Sequence, residues 1–106
     1  MTMQAQKLKA RREKLARDAS LRRFHGYVHE QLQSDRRDEI LQHARARIGL
    51  WKTGKLCSSY YIRFWSGVVA AGDSDTFKER VLDASGRRAL GMMQNTPFSF
   101  LMRELH

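Results

Sequence analysis

His25 and His29 stand four apart in HGYVH. On a helix that spacing puts two imidazoles on one side, where they can share a metal ion. The zinc-protease helix needs a Glu directly after its first His, and here Gly26 follows instead. A third ligand would have to come from His43, Cys57 or a distant acid, so the expectation is two surface or partly buried histidines, with no metal and no cofactor. Cys57, in LCSSYY, falls where a helix start would favour a thiolate. Nothing in that stretch supplies the base a nucleophile requires, and we expect a small buried side chain at a helix junction. GVVAAGDSD is not a phosphate-cradling glycine loop, and the acids form no close pair on a recognisable face. We therefore expect no catalytic residues and a non-enzymatic protein.

The charge is more informative. The 106-residue chain carries a net +9 at pH 7. Residues 1–23 hold eight cations (Lys7, Lys9, Arg11, Arg12, Lys14, Arg17, Arg22 and Arg23) against Glu13 and Asp18, while the remaining chain is only +3. A field concentrated in this way attracts polyanions or an acidic protein surface. No run approaches the roughly 18 apolar residues that a membrane span needs, and no apolar core follows the basic start as in a secretory signal. The lone Cys57 excludes an internal disulfide and fits a reducing cytoplasm.

The apolar spacing is helical nearly throughout. Residues 4–18, QAQKLKARREKLARD, are strong helix formers. Their apolar set (Ala5, Leu8, Leu15 and Ala19, interrupted by Arg12) is too thin to anchor on a core. The spacing predicts a basic helical arm over 1–19, then a single helical domain over 20–106. In that domain Ser20 caps a helix bearing Leu21, Phe24, Val28 and Leu32, and Ser34 or Asp35 caps the next. Ile40, Ala44, Ile48 and Trp51 form its inner face, and Gly54 stops it. A third helix begins at Ser58 or Ser59, with Tyr61, Trp65, Val68 and Val69 on one side. A short helix capped by Ser74 runs through Phe77, Val81 and Leu82, and a further turn or two through Leu90 and Met93. In QNTPF, Thr96 caps and Pro97 opens a last helix with Phe98, Leu101 and Leu105 inward, while Gln94 and Asn95 can bond the turn backbone. The fold class is thus all-α, a compact bundle of about five short helices behind the arm.

The aromatics exceed what so small a core requires. Tyr61 and Trp65 share one stripe; Tyr60 and Phe64 form another beside it. Either the second stripe covers a partner, with Trp51 nearby, or the N-terminal helices wrap over it. A helix-turn-helix reading of RIGLWKTGKLCSSYYIRFW leaves a second helix whose outward residues are aromatic, with Arg63 its only charge, a poor base-reading face.

The segments ARARIGLW, LCSSYYIRFW and GMMQNTPF carry a resemblance over about residues 44–101. They resemble a family of small, mostly uncharacterised bacterial helical proteins, with Ala44, Arg45, Trp51, Tyr61, Ile62, Trp65, Gln94, Asn95, Pro97 and Phe98 matching. Thr96 stands where Ser is more usual, and residues 1–24 lie outside the match. The resemblance implies a helical fold and an antitoxin-like or accessory role beside a toxin-like partner. Together these observations lead us to expect a protein-binding module using Tyr60, Phe64, Trp51, Gln94, Asn95 and the arm. A homodimer is also open. The alternative is a nucleic-acid-binding protein that contacts phosphates through Lys7 to Arg23.

Overall fold

Thr2 opens the longest helix by accepting a hydrogen bond on its Oγ1 from the Ala5 amide at 3.3 Å. The structure, a computed structural model, describes residues 2–105. Helix α1 runs without a break from Met3 to Leu32, about 45 Å at 1.5 Å per residue. The expected division at Ser20 does not occur. Every residue from Asp18 to Leu21 tolerates helix, and Ser20 Oγ accepts from Arg23 Nη2 at 3.1 Å instead of capping. Burial changes where the chain does not: residues 2–17 are all exposed, whereas Phe24, His25, Val28 and Leu32 are buried. The overhang shows in the molecule's dimensions. Its radius of gyration is 15.3 Å with a longest extent of 50 Å, against about 13 Å for a fully compact chain of this length.

Ser34 builds the turn that follows, donating to the Gln31 carbonyl and accepting from the Arg36 amide. Helix α2, Arg37–Gly54, therefore starts without a side-chain cap, although Asp38 and Glu39 sit suitably in its positive first turn. Ile40, Leu41, Ala44 and Ile48 are buried from it. It ends one residue later than expected. Lys55 takes the left-handed conformation at φ 51°, while Gly54 leaves room for Leu56, whose Cγ would lie 3.0 Å from a Cβ there.

Helix α3, Ser59–Ala71, is capped by Ser58 and stopped by Gly72 at φ 72°. Asp73, rather than Ser74, caps α4, Ser74–Phe77. The chain then continues as a π-helical turn, Lys78–Leu82, closed by the Asp83 amide on the Lys78 carbonyl at 2.8 Å. Helix α5 spans Gly86–Gln94, and a 3-10 segment Ser99–Leu105 ends the described chain. Between these two, Thr96, Pro97 and Phe98 are all buried, with Thr96 Oγ1 accepting from the Phe98 amide. The last segment is a 3-10 helix rather than an α-helix, and Leu105, expected inward, is half-exposed.

No strand occurs among the described residues. The helices gather as an all-α bundle around Trp65, which is wholly buried. Phe98 meets its ring edge-on, with centroids 5.8 Å apart, and Phe77 in turn meets Phe98 at 5.6 Å. The indole N–H donates to the Met92 carbonyl at 3.1 Å, so the one polar atom of that ring is satisfied in the core. Among the described residues, no helix is long and apolar enough to cross a membrane.

Candidate functional site

Successive residues of a helix turn by about 100°, so α3 carries three distinct sides. Trp65, Val68 and Val69 point to the core. Tyr60, Phe64 and Gly67 line a second side, which faces the π-helical turn and α5. There Arg80 lies over the Phe64 ring at 5.2 Å, and Arg88 over the Tyr60 ring at 5.8 Å. Where the N-terminal helices were one expected cover, these two arginines lie over the stripe. Gly67 is part of the arrangement, since a Cβ there would meet Arg80 Nη1 at 2.8 Å. The π turn contributes as well: it buries Val81 while its neighbour Arg80 stays exposed. Each cation over a partly exposed ring contributes about 0.5–1 kcal/mol and leaves its N–H donors free for an anion. Tyr60 remains half-exposed, and Phe64 packs partly against the core.

The other expected contact residues are spread wider. Trp51 packs partly against the core from the end of α2. Asn95 spends its side-chain amide on the Gly91 carbonyl at 2.9 Å, capping α5. Exposed Gln94 instead lines a hollow with Ala16, Arg17, Ser20 and Leu21, where α1 leaves the body. On the arm, Lys7, Lys9, Arg11, Arg12, Lys14 and Arg17 are exposed and make no ion pair among the described residues. Arg23 is exposed, but half-buried Arg22 reaches back to the Ala84 carbonyl at 3.3 Å and so helps hold α1 to the body.

His25 is fully buried, its Nδ1 bonded to the Leu21 carbonyl at 2.8 Å and its ring stacked on Trp65 and Phe77. His29 stacks on the same Phe77. The Leu21 carbonyl makes Nδ1 the protonated nitrogen, and Nε2 is left buried without a partner. Burial pushes the His25 pKa down to about 4, more than the Leu21 hydrogen bond raises it. Cys57 is half-exposed rather than buried, because the loop between α2 and α3 runs along the surface. Among the described residues, no three of His, Cys, Asp and Glu gather closely enough to hold a metal.

Sequence reasoning missed the arginines over α3. Nothing local marks Arg80 or Arg88, since the rings they cover lie on another helix. It also missed Glu104, which accepts from Tyr27 at 2.5 Å and takes both ends of the Arg36 guanidinium at 3.0 and 2.8 Å. The Arg36 and then the Tyr27 hydrogen bond hold its carboxyl down at about 2, and the same contact raises the Tyr27 hydroxyl above its ordinary range. This cluster ties the final segment to α1 and to the turn before α2. Comparisons with protein-family models, with curated proteins and with solved structures find no match to this chain.

Proposed function

We propose that the chain is a non-enzymatic interaction module that binds a protein partner through the Tyr60–Phe64 side of α3, with the basic half of α1 as a second contact. The observation that carries this reading is the pair of arginines lying over that aromatic stripe. Tyrosine and arginine are the residues that most often anchor protein interfaces, and here the two are pre-arranged side by side. The free donors of Arg80 and Arg88, with the unpaired arm cations, call for an acidic partner surface. The resemblance over residues 44–101 adds a toxin-like protein as the class of partner. Affinity capture from the native cell should retain a specific protein, and Tyr60→Ala with Arg88→Glu should weaken its binding at least tenfold. Equal retention by the double variant would defeat the proposal.

A second reading rests on the arm alone, whose exposed cations could neutralise several phosphates of a nucleic acid. In that case affinity for an oligonucleotide falls steeply with salt, and Lys9→Glu with Arg12→Glu flattens the dependence. A slope unchanged by that pair would remove this reading.

A further inference from the structure

The third side of α3 faces α2, and along it run two neighbouring hollows that share Lys52 and Ser66. Their volumes are about 260 and 330 Å³, each enough for one or two aliphatic side chains. Buried Ile48 and Val69 line the first, and half-buried Ile62 the second. Arg45, Lys52 and Arg63 stand exposed around them and make no ion pair or side-chain hydrogen bond among the described residues. Ser66, which lines both, has a buried hydroxyl without a hydrogen-bond partner. Gly49 borders the first hollow, and a Cβ placed on it would meet nothing within 4 Å.

We infer that this groove is a docking site for an acidic amphipathic helix of a partner protein. The inference rests on the protein-partner reading above but occupies a different side of α3. One apolar side chain of the partner enters each hollow, and carboxylates on the adjoining turns reach Arg45, Lys52 and Arg63. Helices dock in apolar grooves in this manner, by residues one turn apart. The charge selects the occupant. Three unneutralised cations around an apolar floor suit an acidic segment, whereas a second copy of this chain, itself at +9, is repelled. The groove's apolar lining comes from Ile48, Val69, Ala70 and Ile62, so it offers no ring on which a nucleic-acid base could stack.

The test is a titration of the ¹⁵N-labelled full chain with a synthetic acidic helical peptide of about 14 residues, with Leu at every third and fourth position among Glu. Three controls accompany it: the same peptide with Lys for Glu, a Glu peptide without Leu, and an oligothymidylate. Saturable shifts are expected at amides within residues 45–52 and 59–70 for the Leu/Glu peptide alone. Gly49→Leu, which adds an apolar side chain at the border of the first hollow where a Cβ meets nothing within 4 Å, should weaken that binding at least tenfold, and so should Lys52→Glu. Tyr60→Ala should change it less than twofold. Absence of saturable shifts, unaltered binding by Gly49→Leu or Lys52→Glu, or preference for any control would overturn the inference. Loss with Tyr60→Ala but not Gly49→Leu would transfer the peptide to the arginine-covered stripe, leaving the proposed function standing and the groove refuted.

Discussion

The two halves of α1 are continuous in backbone and opposite in circumstance. From Leu21 to Leu32 the helix buries Phe24, His25, Val28 and Leu32, and Arg22 and Tyr27 tie it to the rest of the molecule. From Met3 to Arg17 every residue is exposed, with Leu8 and Leu15 among them. The first half is helical because its residues favour helix, because Thr2 caps it, and because the packed half has already supplied the costly nucleus. The comparison separates two sources of order: tertiary burial holds one half, and local propensity extends the other into solvent. A projecting cationic helix is then available to a partner at little ordering cost.

The largest break in the comparison comes from truncating a side chain in each half. Phe24→Ala should cost about 3–5 kcal/mol of global stability, and Leu15→Ala should stay within about 0.5 kcal/mol, both read by denaturant unfolding. Equal costs would mean that the arm is packed after all.

A pH series sharpens the same contrast. His25 titrates near 6.5 when unfolded and at about 4 when folded, so between these values the unfolded chain binds more protons. Stability should therefore fall as pH drops from 6.5 to 4, by roughly 3 kcal/mol in total. His25→Phe, which keeps the stack on Phe77 and removes the unpartnered nitrogen, should flatten that slope. A slope that persists in the variant would assign the effect elsewhere.

Next in size, Ala10→Gly should destabilise the arm by about 1 kcal/mol, lowering helical circular dichroism while the main unfolding midpoint stays in place. The smallest effect belongs to Glu104→Gln. The folded carboxyl titrates at about 2 against an ordinary 4.5. Its contribution is therefore complete above 4.5 and is lost as pH falls towards 2, so the variant should show a small, salt-sensitive loss above 4.5 that shrinks through the window and vanishes near 2.

The sequence made the inward faces of α1, α2 and α3 legible, because Leu21, Phe24, Val28 and Leu32, then Ile40, Ala44 and Ile48, then Trp65, Val68 and Val69 recur at helical spacing. The cation-rich arm and the crowded aromatics of α3 were equally plain. What covers those aromatics was not, since Arg80 and Arg88 reach them from elements distant in sequence. The unbroken passage through Ser20 was hidden because a capping residue also serves inside a helix when its hydroxyl finds a local partner. The π turn and the tight 3-10 ending were likewise settled by packing, with Val81, Phe98 and Leu101 drawn to the core and Leu105 left outside.

Residue-resolved amide hydrogen exchange along α1 tests the central claim most directly. Amides of residues 24–32 should exchange only with global unfolding, and those of residues 6–17 with protection orders of magnitude lower, rising when a partner binds. Uniform protection from one end of the helix to the other in the isolated chain would contradict the account.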